Sequence, residues 1–348
     1  MSVNVDKSLI TNLSKQYEDD LFSLAKKAQN IREKLYDKKV FFNLNRHINP
    51  TNICADICKF CAFSANRKNP NPYEMSLEEI KNEVEIAKKS GAKEIHIVGA
   101  HNPRMGIEFY SKVFSEIKSN FPDIHLKALT AAEVEFFSRE SGKSYEDILK
   151  IMIDSGVDSM PGGGAEIFDE SLRDRICKGK VSSKDWLEIH RLWHKMGKKS
   201  NATMLFGHIE SRQNRIDHML RLKSLQEEYG GFNCFIPLLY QTKNNYLDVK
   251  SEASGVEILK TYAIARVVLE NIPHLKAYWV TSTINLALVA QEFGADDMDG
   301  TIQKESINSA AGAESSKGIE LSEFIHKIKD AGFIPVERDS MYNELREF

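Results

Sequence analysis

Three cysteines, Cys54, Cys58 and Cys61, stand close together in a polar segment that also contains Asn52 and Asp56. Thiolates at this C-x3-C-x2-C spacing can hold three corners of a cubane iron–sulfur cluster. No fourth cysteine lies nearby in the sequence, so one iron of such a cluster would stay open to a small molecule. An open position is also what separates catalytic from structural zinc sites. The segment therefore predicts a reactive metal centre.

Two other interpretations of these cysteines stay open. The first is a zinc site completed by His47 or His101, although structural zinc usually takes four ligands as two separated pairs and no second C-x2-C pair is present. The second is burial in the core, because cysteine is among the most buried residue types. A polar loop is a poor place for three core residues. The isolated Cys177 and Cys234, by contrast, are predicted to be core thiols.

The composition limits the class of protein. The chain has 348 residues with 47 Lys and Arg against 50 Asp and Glu, a net charge of −3, and 42% of its residues are hydrophobic. This globular composition excludes disorder as the main state, and the near-neutral balance argues against nucleic acid as the principal partner. No apolar run approaches the roughly 18 residues of a membrane span, and residues 1–20 lack the apolar stretch of a signal peptide. We therefore expect a cytoplasmic protein without a membrane partner.

The elements that must position the cysteines alternate in type from about residue 39 onward. Eight short apolar or β-branched runs are predicted to be strands: Val40–Leu44, Glu94–Gly99, His125–Leu129, Asp158–Pro161, Ser200–Phe206, Asn233–Leu239, Lys276–Val280 and Asp297–Ile302. Amphipathic stretches long enough for crossover helices separate them: Ser76–Ser90, Gly106–Asn120, Tyr145–Ser155, Ser182–Met196, Ile209–Tyr229, Val256–Glu270, Asn285–Phe293 and Ser316–Ala331. Strict alternation implies parallel strands, because a parallel pair needs a crossover of a dozen or more residues.

Eight strand–helix units predict an α/β fold, a (β/α)8 TIM-type barrel, whose usual length is about 250 residues. Residues 1–38 are expected to form an N-terminal helical extension, and residues 39–348 the barrel with a short C-terminal cap after Pro335. An open doubly wound sheet is the alternative, but a glycine-rich first turn that would mark its nucleotide site is missing. In a TIM-type barrel, functional residues lie on the loops that follow the strands.

The cysteine segment follows the first predicted strand, and Phe60 precedes its last cysteine. This C-x3-C-x-aromatic-C pattern resembles the signature of the radical S-adenosylmethionine enzymes. The resemblance implies that Cys54, Cys58 and Cys61 bind a [4Fe–4S] cluster and that S-adenosylmethionine chelates its open iron. An electron carrier such as flavodoxin or ferredoxin would reduce the cluster, which then cleaves S-adenosylmethionine to methionine and a 5′-deoxyadenosyl radical.

Three further segments, Asp158–Ile167, Trp186–Arg191 and Ser200–Glu210, are similar to the aminodeoxyfutalosine synthases of menaquinone biosynthesis. The resemblance implies that the adenosyl radical adds to the enol-ether double bond of 3-[(1-carboxyvinyl)oxy]benzoate, a dicarboxylate. Rearrangement and loss of the carboxyl carbon then give 6-amino-6-deoxyfutalosine. Dehypoxanthine futalosine cyclases and F0 synthase subunits have similar segments, so both stay open as alternative assignments. A metal-stabilised barrel or electron carrier without its own chemistry is the alternative from another class.

The same resemblance implies residues that bind S-adenosylmethionine. Phe60 belongs to the cluster motif. Gly99, after the second predicted strand, would meet the methionine amino group through its backbone. Glu166 would accept hydrogen bonds from the ribose hydroxyls. Alternatively, it is a structural residue next to the N-cap of the following helix.

A substrate with two carboxylates also needs donor groups at the mouth of the barrel. His101, His208 and Arg191 are the candidate catalytic residues of this kind. His208 could instead be a histidine that caps the following helix, and Arg191 a surface charge.

Overall fold

The computed structural model describes residues 6–65, 68–302, 306–312 and 318–348. Its strands are β1 Lys39–Asn43, β2 Asn45–Ile48, β3 Glu94–Ile97, β4 His125–Ala128, β5 Ser159–Met160, β6 Lys199–Phe206, β7 Phe232–Leu239, β8 His274–Leu275, β9 Asp297–Gly300, β10 Ile334–Arg338 and β11 Glu344–Glu347. Because β1 and β2 are separated by Leu44 alone, they form one interrupted strand.

The helices are α1 Lys7–Ser14, α2 Leu21–Tyr36, α3 Leu77–Lys89, α4 Ile107–Asn120, α5 Ala131–Ser141, α6 Tyr145–Asp154, α7 Glu170–Ile176, α8 Ser183–Lys195, α9 Arg212–Tyr229, α10 Gly255–Val268, α11 Trp279–Ser282, α12 Ile284–Gln291, α13 Ile307–Ala310 and α14 Leu321–Asp330, with a 3-10 turn at Lys15–Glu18. Among the described residues, none of the helices is both long enough and apolar enough to cross a membrane.

The strands form a ring. Strands β2 to β8 pair in chain order as one parallel sheet. Strand β9 pairs in parallel with β1, and Lys276, directly after β8, makes a single parallel bridge to Asp297 of β9. The interrupted strand β1–β2 and the strands β3 to β9 therefore surround one interior. This arrangement confirms the predicted TIM-type α/β class and is not the open doubly wound sheet.

Seven of the eight predicted strands overlap an observed one. The remaining one, Lys276–Val280, takes part in the sheet only at Lys276, because β8 is His274–Leu275 and Trp279–Ser282 is helical. The β-branched pair Val280–Thr281 looks like a strand in the sequence. In the fold, the Trp279 indole N–H donates to the Gly300 carbonyl oxygen at 2.9 Å, which holds this segment in a buried helical turn.

The predicted helices also form, with shifted ends. Helix α3 begins as the sequence predicts, with a reciprocal capping box between Ser76 and Glu79. Helices α5 and α7 were not predicted. In the predicted helix Ser316–Ala331, the observed helix α14 begins at Leu321 and residues 316–317 lie outside the described residues.

The two ends of the chain pack against the barrel. Leu24 and Ala28 of α2 are buried, and the Arg32 Nε donates to the Ala295 carbonyl oxygen at 3.1 Å. After residue 333, β10 pairs in parallel with β1, and β11 pairs antiparallel with β10. The C-terminal cap that the sequence predicts after Pro335 is thus formed by the strand pair β10 and β11. A domain boundary at residue 38 stays a prediction.

Asp296 connects three elements beside the ring closure. It accepts a hydrogen bond from the Arg266 guanidinium and one from the Leu275 backbone N–H at 2.8 Å, and its Oδ2 lies 2.6 Å from His274 Nδ1. Burial alone would raise the pKa of Asp296, but His274 and Arg266 outweigh it and lower the pKa. The carboxylate is therefore a charged and fully buried part of the fold.

We expect Asp296→Asn to lower the free energy of unfolding by about 3 kcal/mol, because removing one partner of a buried ion pair leaves the other charge unpaired. The lowered pKa means that this contribution is present at neutral pH and is lost as the pH falls below the ordinary value for Asp. Urea denaturation at neutral and acid pH measures both effects. Asp123→Asn removes an exposed partner of Lys88 and should leave the stability almost unchanged. Equal losses for the two variants would contradict the prediction.

Candidate active site

The loop after β2 carries the three cysteines, and other parts of the chain fix its position. The Ala55 backbone N–H donates to the His101 carbonyl oxygen at 2.8 Å, and the Lys59 N–H donates to the Ile176 carbonyl oxygen at 2.7 Å. His101 follows β3, and Ile176 is the last residue of α7. The loop therefore has one defined position at the carboxyl ends of the strands, where barrels of this class carry their active sites.

A cavity of about 320 Å³ runs from this loop into the interior of the barrel. Its volume is in the range of small-molecule sites. Seven of the residues predicted for the site line it: Cys54, Phe60, Cys58, Cys61, Gly99, His101 and Glu166. The cavity thus brings together the predicted metal ligands, the predicted cofactor contacts and one of the three catalytic candidates.

The positions of the possible ligand atoms bear on the choice between a cluster and a zinc ion. A tetrahedral zinc with Zn–S bonds of about 2.3 Å holds two sulfurs about 3.8 Å apart. Within the described ranges, the one set of three possible ligand atoms that all lie within 4.8 Å of one another comes from Cys54, Asp56 and His101. The three cysteine sulfurs do not form such a set, so at least one pair of them is more than 4.8 Å apart, which is compatible with a cubane in which each thiolate binds a different iron.

The zinc alternative finds little support in the two histidines that the sequence suggested. His101 Nδ1 lies 2.8 Å from Asp56 Oδ2, and its ring stacks on Phe136. His101 and Asp56 have ligand atoms within 4.8 Å of the Cys54 sulfur, but Cys58 and Cys61 do not belong to this set. His47 lies inside the barrel, where its Nε2 is 3.4 Å from His96 Nδ1.

The thiols are held in a partly buried environment. Burial raises the pKa of Cys54 and raises that of Cys58 well above its ordinary value, although the Lys180 ammonium acts in the opposite direction on both. The free thiols are therefore protonated at neutral pH. Metal binding has to displace these protons, so it should be favoured by rising pH.

Glu166 and Lys180 form a buried ion pair beside the cysteine loop. Lys180 Nζ donates to Glu166 Oε1 at 2.8 Å and lies 5.7 Å from the centre of the Phe60 ring. Burial alone would raise the pKa of Glu166, but Lys180 outweighs it and lowers the pKa, so the carboxylate is ionised. Glu166 also has a positive φ of 47°, which is uncommon for a residue with a side chain. Strained backbone of this kind is typical of functional sites.

Glycines let the neighbouring loops approach the cavity closely. A Cβ atom at Gly162 would lie 2.7 Å from the Asn201 carbonyl oxygen, and one at Gly99 would lie 2.7 Å from the Tyr110 hydroxyl. The Gly99 N–H donates to Glu133 Oε1 at 2.9 Å. A ligand at Gly99 is therefore left with the carbonyl oxygen as its backbone partner.

The structure does not bring the other two catalytic candidates into the cavity. The side chain of His208 is buried, with Nδ1 3.2 Å from Glu210 Oε2 and Nε2 3.1 Å from the Leu205 carbonyl oxygen. Arg191 lies on the outer face of α8, where it binds Glu188 and Glu228. Arg191 thus has the position of the surface charge that the sequence offered as its alternative. His208 does not cap helix α9, because Ser211 is the N-cap residue of that helix.

Sequence reasoning missed polar residues inside the barrel. Four residues that the sequence did not single out line the cavity from strands β2, β3 and β4, together with His47: Asn45, Glu94, His96 and Lys127. Parallel strands that are covered on both faces usually read as continuous hydrophobic runs. The alternation of polar and apolar residues in these strands was therefore a signal that could have been used. Lys180, by contrast, has no recognisable pattern around it.

The comparisons with known proteins agree with this fold and cavity. The sequence model of the radical SAM superfamily matches residues 48–222, and the model of the CofH/MqnC C-terminal region matches residues 229–348. The chain belongs to the radical SAM superfamily and is an enzyme of that class. Members of the superfamily use a [4Fe–4S] cluster and S-adenosylmethionine.

Curated relatives cover nearly the whole chain. The chain is 41% identical to the aminodeoxyfutalosine synthase of Thermus thermophilus, over 94% of this chain and 89% of the relative. It is 39% identical to the aminodeoxyfutalosine synthase of Streptomyces coelicolor, over 95% of this chain and 88% of the relative. It is also 35% identical to a 5-amino-6-(D-ribitylamino)uracil–L-tyrosine 4-hydroxyphenyl transferase of Methanopyrus kandleri, over 94% of this chain and 90% of the relative.

Solved structures share the fold at low sequence identity. Methylornithine synthase superposes with a TM-score of 0.76 at 14% identity, over 94% of this chain and 93% of the other. The FeFe-hydrogenase maturase HydG from Carboxydothermus hydrogenoformans gives a TM-score of 0.74 at 15% identity, over 96% of this chain and 77% of the other. These likenesses concern the fold alone.

Anaerobic reconstitution should load about four irons per chain, as expected for a cubane. Serine at Cys54, Cys58 or Cys61 should reduce the iron to well below one cluster per chain, measured by iron analysis and visible absorbance. Cys177→Ser is the matched control, because Cys177 is a buried thiol close enough to Cys58 to influence its pKa but lies outside the cysteine motif. If Cys177→Ser lost as much iron as the serine variants of Cys54, Cys58 and Cys61, Cys177 would be a fourth ligand and the cluster would have no open iron.

Proposed function

We propose that the chain is an aminodeoxyfutalosine synthase that acts in menaquinone biosynthesis. It joins the adenosyl group of S-adenosylmethionine to 3-[(1-carboxyvinyl)oxy]benzoate, and rearrangement with loss of the carboxyl carbon gives 6-amino-6-deoxyfutalosine. The observation that carries this proposal is the 41% identity to a synthase along 94% of the chain, together with a cavity that begins at the cysteine loop.

Cys54, Cys58 and Cys61 are the proposed cluster ligands. When bound, the cluster supplies the electron that cleaves S-adenosylmethionine into methionine and the adenosyl radical. The protein has to hold the substrate against the adenosyl carbon, because correct placement replaces a chance encounter. The enclosed barrel interior serves this purpose and keeps water away from the reactive species.

Gly99, Glu166 and Lys180 are the proposed S-adenosylmethionine contacts. The Gly99 carbonyl oxygen can accept a hydrogen bond from the methionine amino group, since its N–H is already bound to Glu133. Glu166 is ionised, and a carboxylate with two oxygens suits the neighbouring hydroxyls of a ribose. Lys180 holds one of these oxygens, so the other can accept from the ligand. His101 keeps the cysteine loop against β3 and is proposed as a positioning residue.

A low-potential protein must deliver the electron, and we propose a flavodoxin or a ferredoxin. The cysteine loop reaches the surface at Ile57, next to Cys58, and 83% of the Ile57 surface is exposed. This gives a carrier a short route to the cluster. The oxygen-sensitive thiolate ligands favour the reducing cytoplasm as the location.

The activity is tested by identifying the product by mass. With S-adenosylmethionine, a reductant and 3-[(1-carboxyvinyl)oxy]benzoate, we expect an adenosyl adduct of the mass of 6-amino-6-deoxyfutalosine. The alternatives predict other outcomes: a cyclase converts dehypoxanthine futalosine and releases 5′-deoxyadenosine, and a 4-hydroxyphenyl transferase consumes tyrosine and the ribitylaminouracil. Turnover of either alternative substrate without the adenosyl adduct would overturn the proposal.

Glu166→Gln should weaken the binding of S-adenosylmethionine by about 10-fold or more, because a hydrogen bond to a charged group contributes about 1.5–3 kcal/mol. The measurement is the change that S-adenosylmethionine causes in the EPR signal of the reduced cluster, titrated at equal iron content. Asp174→Asn removes an exposed acid of α7 and should leave the affinity unchanged. If Glu166→Gln loses iron to the same extent as affinity, its role is structural.

A further inference from the structure

The barrel interior is polar on the side of β2, β3 and β4, where barrels of this class are filled with branched apolar side chains. His47, His96 and Lys127 lie at one level on these neighbouring strands, because His47 pairs with His96 and His96 pairs with Lys127 in the strand registers. All three line the cavity that begins at the cysteine loop. Filling space does not require such residues, so another role has to explain them.

Two buried ion pairs belong to the same interior. Lys127 Nζ donates to Glu94 Oε2 at 2.6 Å, and Lys276 Nζ donates to Asp299 Oδ1 at 3.0 Å. All four side chains are at most 9% exposed, and all four line the cavity. Buried ion pairs are often no more stabilising than apolar residues of similar volume. Their presence is therefore poorly explained by stability alone.

Each of these ammonium groups has hydrogen-bond donors left for a ligand. An ammonium carries three N–H donors. Over the described part of the chain, Lys127 Nζ makes one hydrogen bond, to Glu94, and Lys276 Nζ makes one, to Asp299. Lys276 Nζ also lies 3.8 Å from Asp297 Oδ1, which is an ion pair beyond hydrogen-bond distance. Since both lysines line the cavity, a molecule in the cavity can accept the remaining donors.

His96 adds an unsatisfied ring nitrogen. Its Nδ1 faces His47, but its Nε2 is buried without a hydrogen-bond partner among the residues that the structure describes. Burial, together with His47 and Lys127, lowers the pKa of His96 well below its ordinary value, so the ring is neutral. Buried polar atoms normally have a partner. A bound polar group would provide one here.

We propose that His47, His96, Lys127 and Lys276, which we call the lumen layer, bind the ring carboxylate of the aromatic dicarboxylate substrate. This proposal rests on the proposed function. The enol carboxylate is attached beside the carbon that the adenosyl radical attacks, so it must stay near the cysteine loop. The ring carboxylate lies at the other end of the molecule and takes no part in the reaction.

The depth of the lumen layer fits this orientation. His96 precedes Gly99 by three residues, which places it about 10 Å deeper along the strand direction. This distance is comparable with the span of a benzene ring with extended substituents at positions 1 and 3, measured between the outer ends of the two substituents. Because Glu94 and Asp299 already balance the two ammonium groups, the carboxylate is recognised by directed hydrogen bonds rather than by an excess of positive charge. Charge-assisted hydrogen bonds of this kind are short and strong.

The test compares the dicarboxylate with an analogue that lacks the ring carboxylate. Dissociation constants of both are measured anaerobically, in the presence of S-adenosylmethionine, for the wild-type protein, for His96→Phe and for the double variant Lys127→Gln with Glu94→Gln. The double variant removes a whole ion pair and leaves no unpaired charge. We expect each of these two variants to raise the dissociation constant of the dicarboxylate by about 10- to 100-fold. The dissociation constant of the analogue should stay within about twofold of the wild-type value.

The control is the double variant Lys118→Gln with Asp158→Asn, which removes a partly exposed ion pair of 2.9 Å outside the cavity. It should bind both compounds as the wild type does. The proposal would be overturned if His96→Phe and the double variant at Lys127 and Glu94 weakened the binding of the dicarboxylate and of the analogue equally. If the double variant does not fold, the result for His96→Phe decides the test. Failure of the proposed function is distinguishable, because the wild-type protein would then form no adenosyl adduct from the dicarboxylate.

Discussion

The chemistry of the site depends on the position in which the barrel holds the cysteine loop. Two backbone hydrogen bonds, from Ala55 to His101 and from Lys59 to Ile176, tie this loop to chain segments that follow β3 and form α7. The cluster site, and with it the place where a radical can form, is therefore fixed by the barrel rather than by the loop itself. A reactive radical also requires that its target already be in contact with it. The cavity that continues from the cysteines into the barrel meets this requirement.

The polar interior changes how the barrel is stabilised. Strands β3 and β4 send polar side chains inward and keep Ile95, Ile97 and Leu126, which are fully buried, for the contacts with the helices. The layer between strands and helices thus supplies most of the hydrophobic burial. The interior can therefore hold polar groups, and the charged ones occur as pairs because an unpaired buried charge is costly.

Much of the fold could be predicted because strand–helix alternation is a strong signal over a long chain. The cysteine spacing likewise predicts the metal ligands, since few other structures need three thiols so close in sequence. The roles of His208 and Arg191 could not be decided from sequence, because a histidine or arginine after a strand or on a helix looks the same whether it faces a cavity or a neighbouring acid. Lys180 was missed for a related reason: only the folded chain brings it to Glu166 and Phe60. The strand Lys276–Val280 failed because β-branched residues also occur in short buried turns.

The way in which the ring closes also bears on how the chain reaches its folded state. Asn45 on β2 donates to Asp299 on β9, 254 residues later in the chain. Contacts between such distant segments form slowly, because the chain entropy has to be lost before the contact is gained. During synthesis on the ribosome, β1 and β8 would wait with unpaired edges until β9 emerges, and unpaired edges favour aggregation. Overproduction at reduced temperature or with added chaperones is therefore expected to raise the yield of folded protein.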